Sequence, residues 1–130
     1  MARKYLNDIG IDDNFMKLDS DDSGWELWNK EIKECGFPSY ETWCLDLHFY
    51  CWLYERLKKF LEVNCIDLDY HKFNYKNNEY TQGELIDMML IGCELALLEG
   101  FKNKKLTEEE KEIVNDVRWI WATVMPAMWW

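Results

Sequence analysis

The chain has 130 residues, 25 acidic against 15 basic side chains, and a formal net charge of −10. One domain of that length buries roughly two-thirds of its unfolded surface and sustains a core without staples. The charge repels a phosphate backbone and disfavours direct nucleic-acid binding, although an acidic surface can imitate nucleic acid towards a basic partner. The eight Trp, seven Tyr and six Phe run from end to end, which argues against disorder beyond the N-terminus. No apolar run approaches the ~20 residues of a membrane span, and no membrane partner is expected. Five cysteines without framework-like spacing, and no signal peptide before them, read as reduced, mostly buried and cytosolic.

Residues 1–22 form an acidic N-terminal segment, read as loop or weak helix and partly ordered; residues 23–130 read as one helical domain. After the basic start Arg3 and Lys4, Asp12, Asp13, Asp19, Asp21 and Asp22 crowd around Phe15 and Leu18. Asp19, Asp21, Ser23 and Gly24 match the opening positions of a calcium loop, but Glu26 stands where an apolar residue is needed and Lys30 where the bidentate Glu belongs. The stretch is better read as the Asp/Ser cap of a short helix, 24–35. Its Trp25, Trp28, Ile32 and Cys35 make one apolar face, and Gly36 ends it.

Residues 39–63 read as a long helix buried on most of its circumference and covered by the other three. Trp43, Leu47, Tyr50, Tyr54, Leu57 and Leu61 recur at helical spacing, and Leu45, Phe49, Trp52, Leu53 and Phe60 widen the stripe. Ser39, after Pro38, suits the N-cap, and Glu55 is placed to pair with Lys59. Asp46, among apolar neighbours, is expected to find a cap or a basic partner, with Trp43 buried beside it. In 64–80, Ile66, Leu68 and Tyr70 alternate with Asp67, Asp69 and His71, and Asn77-Asn78 signals a turn. That stretch reads as a loop with one short strand, since a lone hairpin is marginal unless it packs on helices.

Thr81-Gln82-Gly83-Glu84 is a capping box opening a helix over 81–99, on which Leu85, Met88, Met89, Gly92, Cys93, Ala96 and Leu97 recur on one inward face. Gly92 in it permits close approach of a neighbour, and Gly100 suits the left-handed position beyond its end. Thr107-Glu108-Glu109-Glu110 opens a last helix over 107–125, with Ile113, Val117, Ile120, Trp121, Val124 and Met128 at helical spacing and Pro126 as its kink or stop. The tail ending in Trp129 and Trp130 reads first as core, then as an oligomer or partner surface, and last as an interfacial anchor. The fold class is therefore all-α: a small bundle of three long helices plus one shorter N-terminal helix.

Chemistry is sparse. Cys44, His48, Cys51 and Glu55 share one helical stripe, but zinc needs four converging ligands, so Cys65, Cys93 or His71 would have to complete the set. A core or interhelical stripe explains these residues better than a metal site or a Cys–His nucleophile, because free Cys is among the most buried residue types. Asp67, Asp69 and His71 are better explained as a solvated face than as ligands. The chain has no phosphate-binding glycine loop, nucleophile elbow or H-E-x-x-H pattern. No cofactor, catalytic residue or enzymatic activity is expected.

Gly36-Phe37, Glu41-Thr42-Trp43, Leu45-Asp46 and Arg56-Leu57-Lys58 with Phe60 resemble the signature of a group of small bacteriophage-encoded proteins of unknown function. The likeness extends over most of 25–130 through the later amphipathic helix and the aromatic end. This chain differs in placing Cys44, His48 and Cys51 where the pattern has small core residues, and in its acidic N-terminus. The resemblance implies a viral accessory protein in the host bacterial cytoplasm and transfers no catalytic residue. The expected function is binding of a host or phage protein, as an acidic inhibitor or decoy of a defence or nucleic-acid enzyme. Asp19, Asp21, Asp22, Trp129 and Trp130 are the candidate contacts. The alternative is a virion or assembly component that self-associates through the aromatic C-terminus, and a metal-dependent enzyme ranks third.

Overall fold

Two capping boxes open long helices of the computed structural model, which describes residues 3–11, 24–42, 44–64 and 67–128. Asp19, Asp21, Asp22, Trp43, Cys65, Trp129 and Trp130 lie outside those residues. The Thr81 hydroxyl accepts from the Glu84 amide at 3.1 Å while the Glu84 carboxylate accepts from the Thr81 amide at 3.1 Å. Thr107 and Glu110 repeat the exchange at 3.2 and 3.0 Å. Each box satisfies two amides that a helix start leaves without partners. The helices that follow are α4, Gln82–Lys102, and α5, Glu108–Val124. Pro126 then stops α5 in a 3-10 turn, Met125–Ala127.

The protein is mostly helical, and α4 rather than the 39–63 stretch is its centre. Leu85, Ile86, Met89, Gly92, Cys93, Ala96 and Leu97 are buried around much of its circumference, and it packs on both α5 and α3 (Leu45–Val63). Small residues decide this: a β-carbon on Gly92 would lie 2.3 Å from Val117 Cγ2 and 2.9 Å from the Ile113 carbonyl oxygen. On α3 the buried side chains are Cys51, Leu53, Tyr54 and Leu57, while Leu45 and Trp52 are exposed. Gly100 is not the helix stop; it stays helical with Leu47 against it, and Asn103 takes the left-handed position at φ 55°. Gln82, fully buried at the start of α4, has neither side-chain amide atom hydrogen-bonded.

The helix expected from Ser39 begins only at Leu45. Ser39–Thr42 forms a 3-10 turn, and Cys44 at φ 49° breaks the backbone before α3. Ser39 does not cap; its amide donates to Glu31 and its carbonyl accepts from the Thr42 hydroxyl at 2.6 Å. Glu55, too, departs from expectation. It accepts from the Arg3 guanidinium twice, from Nε to Oε2 at 2.9 Å and from Nη2 to Oε1, and Lys59 turns to Glu62 at 3.5 Å. A planar fork matched to a carboxylate outcompetes a single ammonium one turn away.

That ion pair tethers α1, Lys4–Asp8, to α3. Leu6 and Ile11 are fully buried, so the start of the acidic segment belongs to the core. The reverse holds for α2, Trp25–Cys35, which ends at Gly36 as read (φ 92°) but buries none of its residues. It contacts the 3-10 turn rather than packing on the long helices.

Among the described residues the helices are joined by one small sheet. β1, Lys72–Tyr75, and β2, Asn78–Thr81, pair antiparallel through Lys72↔Thr81 and Tyr75↔Asn78. Lys76 and Asn77, both at positive φ, make the two-residue turn that suits strand twist. An isolated hairpin is marginal in water; this one is held by α5. Tyr75 Oη donates to Asp116 at 2.8 Å, and Lys76 Nζ lies 2.9 Å from both Glu112 and Asp116. Among the described residues, no helix is long and apolar enough to cross a membrane.

Candidate functional site

The Cys/His stripe of α3 spans the full range of burial. Cys44 is exposed at the left-handed N-cap, His48 is half-buried, and Cys51 is completely buried. Among the described residues, no three His, Cys, Asp or Glu side chains converge as metal ligands. Burial pushes the Cys51 thiol up to about 12, with the Glu55 carboxylate adding to it, and burial pushes Cys93 up to about 12 as well. Both thiols stay protonated near neutral pH, whereas nucleophilic attack needs the thiolate. A thiol reagent at pH 8 should therefore modify Cys35 and Cys44 quickly and reach Cys51 and Cys93 only on unfolding, as peptide mapping would read. Rapid labelling of Cys51 in the folded chain would contradict this packing.

Asp67, Asp69 and His71 shape a turn rather than a cluster. Asp67 Oδ1 accepts from the Asp69 amide at 2.9 Å, and the His71 carbonyl accepts from the Gln82 amide at 3.2 Å. All three side chains are exposed.

Among the described residues, two concavities lie against α5. One is an open polar depression of about 480 Å³ in which Asp46, Tyr50 and Glu99 face Lys111, Asn115 and Arg118. Asp46 thus sits in the first turn of α3, where the helix dipole favours a carboxylate, and shares this space with two cations. The Arg118 guanidinium donates to the Asn115 side chain.

The other is an apolar groove of about 210 Å³ lined by Met88 and Ile91 of α4 and by Ile113, Asp116 and Ile120 of α5. Ile91 is 54% exposed and Ile113 37%. Asp116 forms part of the wall and is itself only 14% exposed, held by Tyr75 and Lys76. Burial and the Asp116 carboxylate push the Tyr75 phenol up to about 12, and Glu112 and Asp116 hold the Lys76 ammonium above the ordinary lysine range. Outside that cluster the carboxylates of Asp87 and Glu109 are exposed, and within it Glu112 is exposed as well.

No family model, curated protein or solved structure matches the chain. Its own surface is the guide to function. The groove was partly visible in the sequence: Met88, Ile113 and Ile120 fell on the inward faces, while Ile91 fell outside the inward stripe of α4. An apolar residue out of phase with the core stripe was the available signal.

Proposed function

We propose that the chain is an accessory protein of phage origin that works by binding a host or phage protein in the bacterial cytoplasm, its helical bundle serving as the scaffold for an acidic surface. The observation that carries this reading is the pairing of exposed apolar residues, Ile91 and Ile113, with exposed carboxylates on a chain of net charge −10. Such a surface matches a partner with a basic binding face, as defence and nucleic-acid enzymes have. Electrostatic complementarity of this kind speeds encounter and weakens as salt shortens the Debye length to about 8 Å near physiological ionic strength. The test is an affinity pull-down of the intact chain from infected cells, followed by titration of the purified complex with salt. Affinity should fall steadily with ionic strength; a complex indifferent to salt would reject the acidic-inhibitor reading.

Self-association through the aromatic C-terminus is the second reading, favoured by Trp119, 61% exposed, and Met125, 48% exposed, just ahead of Trp129 and Trp130. Light scattering decides it: an oligomer that Trp129→Ala with Trp130→Ala dissociates supports it, and a monomer at all concentrations removes it.

A further inference from the structure

We infer that the groove between α4 and α5 is the docking site for a cationic segment of the partner that seats one large apolar side chain between Met88, Ile91, Ile113 and Ile120 and sets Lys or Arg against the surrounding carboxylates. The inference rests on the interaction reading above and adds the place and the chemistry of the contact.

Size is the first argument. About 210 Å³ is smaller than the clefts that enclose drug-sized ligands; it suits a single anchor residue of the kind that dominates protein interfaces. The groove is also rigid. Gly92 brings α4 against Val117 and the Ile113 backbone, leaving no room for a β-carbon, so the groove has a fixed floor and is already formed before a partner arrives, which lowers the cost of binding.

Charge identifies the occupant. Glu109, Ile113, Asp116 and Ile120 follow one another along one face of α5 at i, i+4, i+7 and i+11. Asp116 is neutralised by Lys76, with Tyr75 donating to it, so it does not repel an apolar group entering beside it. Glu109 and Asp87, by contrast, are exposed and pair with no cation among the described residues. One end of the groove therefore carries an uncompensated carboxylate in line with the apolar floor, and Asp87 stands one turn before Ile91. An occupant bearing Lys or Arg on either side of its anchor completes those charges. A second copy of the chain carries the same −10 excess and meets like charge with like, which costs affinity rather than adding to it.

The experiment uses the full chain with isotope-labelled Ile methyl groups and two synthetic peptides of equal positive charge. One is an amphipathic Leu/Lys helix, and in the other each Leu is replaced by Ala. The Leu peptide should shift the methyls of Ile91, Ile113 and Ile120 and bind at least about tenfold more tightly, the equivalent of 1.4 kcal/mol. Ile91→Asn should abolish that advantage, and because Ile91 is 54% exposed the variant keeps its fold, which circular dichroism verifies. Glu109→Gln should weaken both peptides alike. Equal affinity for the two peptides, shifts confined to residues away from the groove, or shifts produced by raising protein concentration alone would each overturn the inference. A failed peptide titration beside a salt-sensitive partner complex would sink the docking site and leave the interaction reading standing.

Discussion

Gly92→Leu is expected to abolish cooperative folding, or to lower stability by more than the ~1–3 kcal/mol usual for an overpacked core. Even Gly92→Ala, which in an exposed helix would gain about 0.5–1 kcal/mol from propensity, should lose stability here. Its β-carbon would meet Val117 Cγ2 at 2.3 Å and, more seriously, the Ile113 carbonyl oxygen at 2.9 Å. A side-chain methyl can rotate away, but a backbone oxygen within α5 moves only if the two helices part. Gly83→Ala is the control, since its nearest neighbour is Leu68 Cβ at an ordinary 3.4 Å. Urea denaturation of the three variants should rank Gly83→Ala with the parent chain and Gly92→Leu last. A Gly92→Ala protein as stable as the parent would mean that α4 and α5 do not cross here.

Leu6→Ala should cost about 2–5 kcal/mol, the range for emptying a leucine site in a closed core, although it lies near one end of the chain. Leu6 has no exposed surface, and Ile11, at 1%, shares its cluster with Leu53, Leu57 and Leu97. Ile32→Ala in α2 should change stability by no more than about 0.5 kcal/mol, because that helix buries nothing and Ile32 is 37% exposed. Thermal or urea unfolding of both variants checks the contrast; a Leu6→Ala melt indistinguishable from the parent would remove α1 from the core.

That contrast also marks how far the sequence could be read. The starts of α4 and α5 were legible because a T-x-x-E box is local chemistry, completed within four residues. Gly92 and Pro126 were legible because absence of a side chain and absence of an amide act wherever they occur. The start of α3 was not, since Cys44 adopts a left-handed backbone without being Gly or Asn, and Ser39 after Pro38 imitates a cap. Lys76 is likewise an unusual residue for its positive φ, and it moved the hairpin turn one place from the Asn77-Asn78 pair. Five residues of α1 are too few for a period to show, and the amphipathic face of α2 was clear although nothing among the described residues buries it. For the candidate site, spacing aligned Cys44, His48 and Cys51 along one stripe but carried no information on depth, which α4 decides. The carboxylates of the groove could be counted in the sequence; that Tyr75 and Lys76 would reach Asp116 from a hairpin 41 and 40 residues away could not.

The Arg3–Glu55 tether joins residues 52 apart in the chain, whereas β1 pairs with β2, and α4 with α5, across short connections. Loop closure over a long separation costs more entropy than over a short one, so assembly is expected to start among the later elements, with α1 joining last. A contact absent from the transition state leaves the folding rate alone and governs how fast the finished molecule opens. Residues 3–11 are thereby expected to act as a kinetic latch: Leu6→Ala should raise the unfolding rate in stopped-flow measurements and leave the refolding rate nearly unchanged.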